Sequence, residues 1–567
     1  MGKEKVNFEN LFLEFLILFA LIGFAYVFYK KEVSLSPVVA TLTVKELPYY
    51  MFRSLLRMFF AYLAALVFSL IYGFAAATSK KREAIMLPIL DILQSVPVLG
   101  FFPAAIFFFI AIIPDKLLGV EIASIFLIFT SQVWNMAFGV YESITTIPKD
   151  LKEAYSFFDP EGRLAFVRLY FPATIPKLIY NSIVSWSNGW YFLVACEIFA
   201  VGSASYRLPG IGSFIMEAAS QSKISLTLLG ISTLVVVIVL LDLFIWKPLS
   251  QWSRRFRYSI SPGEEEETEV WEVVSLFWEI VGNVLRKLRK SIFKNEGFQI
   301  PHFHDFFKKP LVKRIVSYIN KAVFICILLL TGILFYKILI VIPKFFQSLQ
   351  LSYFFISIKA IGYSFVRLLI AYLISVAWTI PVAVYLFYHQ KSAKVISPIL
   401  QVLASIPAVS LFPLILYYLI KVPHGLDITA IILILTGMQW YILFNAYGGL
   451  KAIPNDLKEV VDSIGLKRWL KFKRLLFPAS LPSLMTGTIT AWGGGWNALI
   501  IAEYIVLNGK TYSVMGIGSL LDKSLAQGKQ TLFTVALFMM VITIFLINHF
   551  VYRPLYDKIS ERFNMEA

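Results

Sequence analysis

At 567 residues the chain has room for several soluble domains, yet 58% of it is hydrophobic, only 15% is charged and its mean hydropathy is +0.73. So few polar residues cannot cover a water-facing surface, which excludes an ordinary globular protein and points to a chain that crosses a membrane many times. The formal charge of +17 could serve nucleic acid, but the basic residues concentrate in loops between apolar runs, where the positive-inside rule places them.

Taken in order, apolar runs of roughly the 20 residues that a bilayer core demands fall at 11–29, 55–78, 86–113, 121–141, 178–201 and 225–246. A second set follows at 322–342, 360–388, 395–420, 428–448, 484–507 and 532–551. The first run lacks a small-residue cleavage site and has Phe-Tyr-Lys-Lys-Glu beyond it, so it reads as a retained span. Lys80, Lys81 and Arg82, the segment from Trp246 to Arg257, and Lys467, Arg468, Lys471, Lys473 and Arg474 share one side. That side is cytosolic by the positive-inside rule, both termini fall there too, and the loops at 114–120 and 421–427 face outside. The polar region 250–321 holds an acidic run, Glu264–Glu267. It also holds an amphipathic helix with Val270, Val274, Phe277, Val281, Val284, Leu288 and Ile292 at three- and four-residue spacing. This helix either lies on the inner leaflet beside Arg286, Lys287, Arg289 and Lys290, or packs as a connector.

The chain repeats itself. Pro454 − Pro148, Trp492 − Trp186, Gly516 − Gly210 and Pro554 − Pro248 all equal 306. Upstream the offset is 310, from Arg367 − Arg57, Tyr372 − Tyr62, Pro407 − Pro97 and Pro413 − Pro103. Four residues are therefore missing from the second half, an omission expected in the 114–120 loop, and the two halves form a parallel duplication.

The strongest repeated stretch is Lys152–Pro176 and Lys458–Pro482, two short helices with a break between them. Gly465 suits the break in the second copy through the left-handed conformation that closes a helix. In the first, Asp159, Pro160 and Glu161 supply an N-cap, a first-turn Pro and a first-turn acid. Phe171-Pro172 and Phe477-Pro478 are expected to end the second helix. The pattern resembles the EAA loop of ABC importer permeases: Glu153, Ala154, Leu169, Phe171 and Pro172, and Glu459, Gly465, Leu475, Phe477 and Pro478, fall on its spacing. Asp159 departs from the family Gly. The resemblance implies that each loop couples to a cytosolic ATP-binding subunit, through Glu153, Ala154, Asp159, Gly162 and Pro172 in the first and Glu459, Asp462, Gly465 and Pro478 in the second.

Two further constellations recur. W-x-x-G-W-x-x-L-x-x-x-E occurs at Trp186, Gly189, Trp190, Leu193 and Glu197 and again at Trp492, Gly495, Trp496, Leu499 and Glu503. A carboxylate in a span must face protein or water, so either the two helices line a central pathway with Trp186, Trp190, Glu197, Trp492, Trp496 and Glu503, or Glu197 and Glu503 satisfy helix ends at the outer boundary. These stretches, with Gly210 and Gly212, Gly516 and Gly518, are similar to the nitrate/sulfonate/taurine branch of importer permeases. Pro97 with Pro103, and Pro407 with Pro413, break or kink their apolar runs, at the pathway by that resemblance or simply within a packing helix. Asn508-Gly509-Lys510-Thr511 lacks the first Gly of a phosphate-binding loop, so no nucleotide site is read there. His302 and His304 stand without companion metal ligands, and Cys196 and Cys326, both in apolar runs, imply no disulfide framework.

The expected fold is all-α and polytopic, about 12 transmembrane helices in two parallel six-helix repeats. The first half is 1–249 (core about 50–249, coupling loop 148–176), the linker 250–321 and the second half 322–567 (core about 360–556, coupling loop 454–482). The resemblance implies the permease of an ATP-driven importer in a prokaryotic inner membrane, not an enzyme, with no cofactor of its own because ATP and Mg belong to partner subunits. It also implies two copies of an ATP-binding subunit, an external solute-binding protein and a small solute such as nitrate, sulfonate, taurine or bicarbonate. An ion-coupled secondary transporter with internal repeats is the alternative.

Overall fold

The computed structural model describes residues 42–256 and 342–563, apart from 96, 114, 159–164, 199–207, 344, 508–509 and six positions between 455 and 466. The expected spans at 11–29 and 322–342, the amphipathic linker helix, both linker histidines and Cys326 therefore lie outside the described residues. Two compact units divide the chain at residues 239 and 349. In 240–348, Asp242–Trp246 is a π-helical turn that leads into a helix at Lys247–Ser253, and Trp252 meets Phe256 edge-on.

The other unit contains both repeats. In the first, α1 (Leu47–Ala77), α2 (Lys80–Ser95), α3 (Phe102–Ile112), α4 (Lys116–Thr145) and α5 (Lys149–Phe158) precede α6 (Phe171–Ile198), α7 (Ile211–Ser220) and α8 (Ile224–Leu241). In the second, α9 (Leu351–Tyr388), α10 (Gln390–Ser405), α11 (Ala408–Leu419) and α12 (Gly425–Lys451) lead to α13 (Phe477–Ala502). A hairpin of β1 (Tyr504–Leu507) and β2 (Lys510–Ser513), α14 (Ile517–Ala526), α15 (Gln530–Ile547) and α16 (Arg553–Phe563) complete it. The antiparallel hairpin is the one departure from an all-α fold among the described residues, and Lys510 and Thr511 lie on its second strand.

In each half the fourth-span helix sits between two others: α4 packs on α1 and α6, and α12 on α9 and α13. Ala65, Val133, Met136, Val140, Ile144 and Leu178 fill the first core; Ala383, Leu443, Ala446, Leu450, Ile453 and Leu476 fill the second. Small residues permit the close approach. A Cβ on Gly73 would stand 2.7 Å from Val140, and one on Gly495 would stand 2.8 Å from Leu368 Cδ2. Six described helical stretches are long and apolar enough to cross a membrane. The helices α6 and α13, 28 and 26 residues long, are not among them; they carry more polar side chains, Ser182, Ser185 and Thr488 among them, buried against neighbouring helices.

Three expectations are corrected. The run 395–420 is not one span: α10 and α11 meet at 80°. The break falls at Ile406-Pro407, where Ile406 is extended because the ring of the following proline disfavours the helical conformation. Its counterpart 86–113 is broken in the same place, with Pro97 extended at ψ 110°. The second proline of each pair breaks nothing. Pro103 sits in the first turn of α3, where no backbone N–H is needed, and Pro413 lies inside α11.

The Phe-Pro pairs of the two repeated loops do not end a helix either. π-Helical turns at Phe166–Tyr170 and Phe472–Leu476 run straight into α6 and α13, and each is followed by Phe-Pro. Asn548–Tyr552 is followed by Arg553-Pro554 in the same way. A wider turn carries the chain past a residue that lacks an N–H and would otherwise clash with the preceding carbonyl. Finally, α4 starts at Lys116 and takes up most of the expected 114–120 loop.

Candidate functional site

Arg57 lies on the buried face of α1, where a lone guanidinium would be costly, and three acceptors meet it. Its Nε and Nη2 donate to Glu121 on α4, at 2.5 and 2.8 Å, in the two-pronged geometry that suits a carboxylate. Nη1 donates to Glu197 Oε1 at 2.6 Å, and Nη2 also reaches the Pro209 carbonyl. Glu197, fully buried at the end of α6, further accepts from Ser54 Oγ at 2.6 Å and, through Oε2, from the Gly212 N–H at 2.7 Å. Ser54 in turn accepts from the Ile211 N–H. Glu197 and Ser54 thus satisfy two of the N–H groups that open α7, and Arg57 neutralises the acid. Arg53 also pairs with Glu121.

The second half repeats the core of the arrangement, without a counterpart of Arg53, where Tyr363 stands. Arg367 donates to Glu503 at 2.8 Å and to the Met515 carbonyl at 2.7 Å. Ser364 donates to Glu503 and accepts from the Ile517 N–H, and the Gly518 N–H donates to Glu503 Oε2. Asp427 replaces Glu121, at 2.7 Å from Arg367, on a shorter and more exposed side chain. Gly210 and Gly516 are needed here for space, because a Cβ on either would overlap the glutamate carboxylate.

Among the described residues, the partners of the Glu197 side chain lie in the first half and those of the Glu503 side chain in the second. Trp186 meets Tyr62 of α1 edge-on at 5.5 Å, and Trp190 stacks edge-on against Trp186. Trp492 meets Phe365, Tyr372 and Tyr552, and Trp496 is buried. These tryptophans thus share the face of α6 or α13 that turns towards α1 or α9 of their own half.

The proline breaks lie between the halves. The turn Val98–Phe101 after Pro97 packs on α13, and α10 and α11, either side of Pro407, pack on α6. At Gly100 a Cβ would stand 3.1–3.5 Å from Met540, Leu537 and Ile500, all of the second half. Both Pro97 and Pro407 are buried.

On the two loops expected to couple to an ATPase, Glu153 and Ala154 are exposed on α5, and Glu459 is exposed on helical backbone. Gly465 is exposed at φ +69°, the left-handed conformation. Pro172 and Pro478 are half-buried in the first turns of α6 and α13. Asp159, Gly162 and Asp462 lie outside the described residues. Buried Ile147 and Ile453 root the two loops in the helical body. Around Glu459, apolar side chains are exposed: Ile464 is 66% exposed, Trp469 71%, and Leu457 and Leu470 are also exposed. No His, Cys, Asp and Glu grouping able to hold a metal occurs among the described residues.

Sequence reading missed the partners of the glutamates. Ser54, Arg57, Glu121 and their counterparts were legible only as charged or polar positions that recur in apolar surroundings, at offsets of 310 (Arg367 − Arg57) and 306 (Asp427 − Glu121). That change of offset between residues 103 and 121 also places the four-residue omission where the external loop was expected.

The sequence pattern of the family described as "Binding-protein-dependent transport system inner membrane component" matches twice, at residues 65–245 and 375–560. The nitrate import permease protein of Synechocystis sp. is 27% identical over 203 residues, 36% of this chain and 69% of that protein. The bicarbonate transport system permease protein of Synechococcus elongatus is 25% identical over 203 residues, 36% of this chain and 68% of its own. A putative aliphatic sulfonates transport permease protein of Escherichia coli is 34% identical over 110 residues, 19% and 40%. With about two thirds of its length matched in two tandem copies, the chain belongs to this family, as a non-enzymatic multi-pass permease of an ABC importer made of two fused halves.

Proposed function

We propose that each coupling loop docks into one copy of an ATP-binding subunit, two copies per chain, and that the loop-bearing side faces the cytosol. The exposed apolar cluster of Leu457, Ile464, Trp469 and Leu470 around Glu459 supports this reading. An apolar patch left in water beside a charged rim is what a protein partner covers. ATP-driven closure of the two subunits would move α5 and its counterpart, and through the continuous π-to-α helices the motion would pass into α6 and α13. The translocation pathway runs between those helices, flanked by the breaks at Pro97 and Pro407. The solute is a small anion or zwitterion: nitrate, bicarbonate or a sulfonate is in keeping with the names of the relatives, taurine with the sequence resemblance, and an external solute-binding protein delivers it.

The test is purification of the tagged chain in mild detergent, with mass spectrometry of whatever accompanies it. An ATP-binding subunit at two copies per chain, lost when Glu153 and Glu459 are both replaced by Lys, is the expected result. Purification without any ATPase, with the chain alone driving solute uptake from an ion gradient, would overturn the reading.

A further inference from the structure

Asn188 and Tyr441 break the symmetry of the two halves at the point where they meet. Subtracting 306, Tyr441 corresponds to Asn135 and Gly494 to Asn188. In the second half a Cβ on Gly494 would stand 2.5 Å from the Gly437 carbonyl and 3.0 Å from Tyr441 Cε2. The Tyr441 ring therefore lies over the bare backbone of α13, and its hydroxyl extends past it to the first half. There it donates to Asn188 Oδ1 on α6 at 3.1 Å. Asn188 lies well inside α6, 17 residues (about 25 Å) past its start at Phe171 and ten (about 15 Å) before its end at Ile198.

A second observation marks the same level as polar. One turn further along, Tyr191 on α6 and Asn497 on α13 occupy equivalent positions (497 − 191 = 306). Tyr191 Oη and Asn497 Oδ1 are both buried without a hydrogen-bond partner. Unpaired polar atoms inside a bilayer are costly and are kept where water or a solute passes.

We propose that Tyr441 and Asn188 form the gate of the translocation pathway. Their hydrogen bond closes it in this conformation. Once the halves part, the phenol hydroxyl and the carboxamide N–H become donors for the oxygens of a passing oxyanion. The proposal rests on the reading of α6 and α13 as the walls of the pathway.

The test uses the full chain in liposomes loaded with potassium nitrate, with valinomycin to balance charge and nitrate release followed by electrode. Tyr441→Phe should raise the leak about fivefold, the weight of one hydrogen bond, and Tyr441→Ala should raise it further. Combining Tyr441→Phe with Asn188→Ala should add little to the larger single effect, because both remove the same bond. In the Tyr441→Ala background, Asn188→Asp should cut the nitrate leak severalfold by placing like charge in its path. Wild-type leak in Tyr441→Phe and Asn188→Ala, with an unchanged melting curve, would overturn the gate. So would a Tyr441→Ala leak indifferent to Asn188→Asp. If Tyr441→Ala fails to fold, the Phe variant decides alone. No ATPase enters this assay, so its failure leaves the importer reading to the co-purification.

Discussion

Asn181 on α6 lies so close over Gly139 on α4 that its carboxamide occupies the space a Cβ would need, and in the second half the pair is exchanged. There Asn445 on α12 fills the space over Gly487 on α13, with its Cβ 2.7 Å from the Cβ that Gly487 lacks. Subtracting 306, Asn445 corresponds to Gly139 and Gly487 to Asn181. One asparagine serves each helix pair, carried on opposite helices. Tyr441 over Gly494 departs from its counterpart, Asn135 with Asn188, in the same way: where one helix gains bulk, the other loses it.

The obstacles at the two glycines differ, and so should the cost of filling them. At Gly139 the nearest atom is the free end of the Asn181 side chain, whereas at Gly487 it is Asn445 Cβ, with the Tyr441 carbonyl at 2.9 Å. Gly139→Ala should be near neutral, since removing a helical glycine offsets about 1 kcal/mol of overpacking. Gly487→Ala should cost about 2 kcal/mol net. Gly139→Asn should melt several degrees lower, and adding Asn181→Gly should restore most of the loss. Thermal melts in detergent measure all four variants.

Removing either buried arginine strands carboxylates, but not equally. Arg57→Met leaves the fully buried Glu197 without a cation and the mostly buried Glu121 with Arg53 alone, and should cost about 3–5 kcal/mol or abolish folding. Arg367→Met strands the equally buried Glu503, but the side chain of Asp427 is 44% exposed and water can solvate it, so the loss should be smaller. Lysine should rescue neither fully, because it cannot reproduce the fork. Expression level and melting temperature of the four variants decide the order.

Asp522 on α14 is a buried acid of the second half alone, standing where the first half has Met216 (522 − 306). Its Oδ2 has no hydrogen-bond partner, and burial holds the carboxyl well above the usual carboxylate range. The folded state therefore keeps a proton that the unfolded chain releases near pH 4, and stability falls as pH rises above that value. Asp522→Asn should melt higher than wild type at pH 7, with the difference shrinking towards pH 4. A pH series of melts that shows no such convergence would contradict it.

A Cβ added to Gly465, at φ +69°, would meet nothing within 4 Å, so only backbone strain resists substitution there. Gly465→Val should lower the melting temperature slightly, since a β-branched residue in the left-handed region costs about 1–2 kcal/mol, and should weaken ATPase co-purification severalfold by reshaping the exposed turn. Gly465→Ala should fall between.

The sequence by itself determined the duplication, the membrane class and the repeated loop with its bend at Gly465. Those rest on hydropathy summed over some twenty residues, on constant offsets and on local turn chemistry at Gly465, all properties of neighbours in the chain. Only the tertiary structure decided what Glu197 and Glu503 do, because Arg57 is 140 residues from the first (197 − 57) and Arg367 is 136 from the second (503 − 367). In an apolar interior such groups must find one another or be excluded, and which ones meet depends on helix rotation that the pattern of a single span does not encode. The same holds at the proline pairs. Spacing identified both prolines of each pair, but it did not say which one breaks the helix: Ile406 before Pro407 is extended, whereas Phe412 before Pro413 stays helical inside α11.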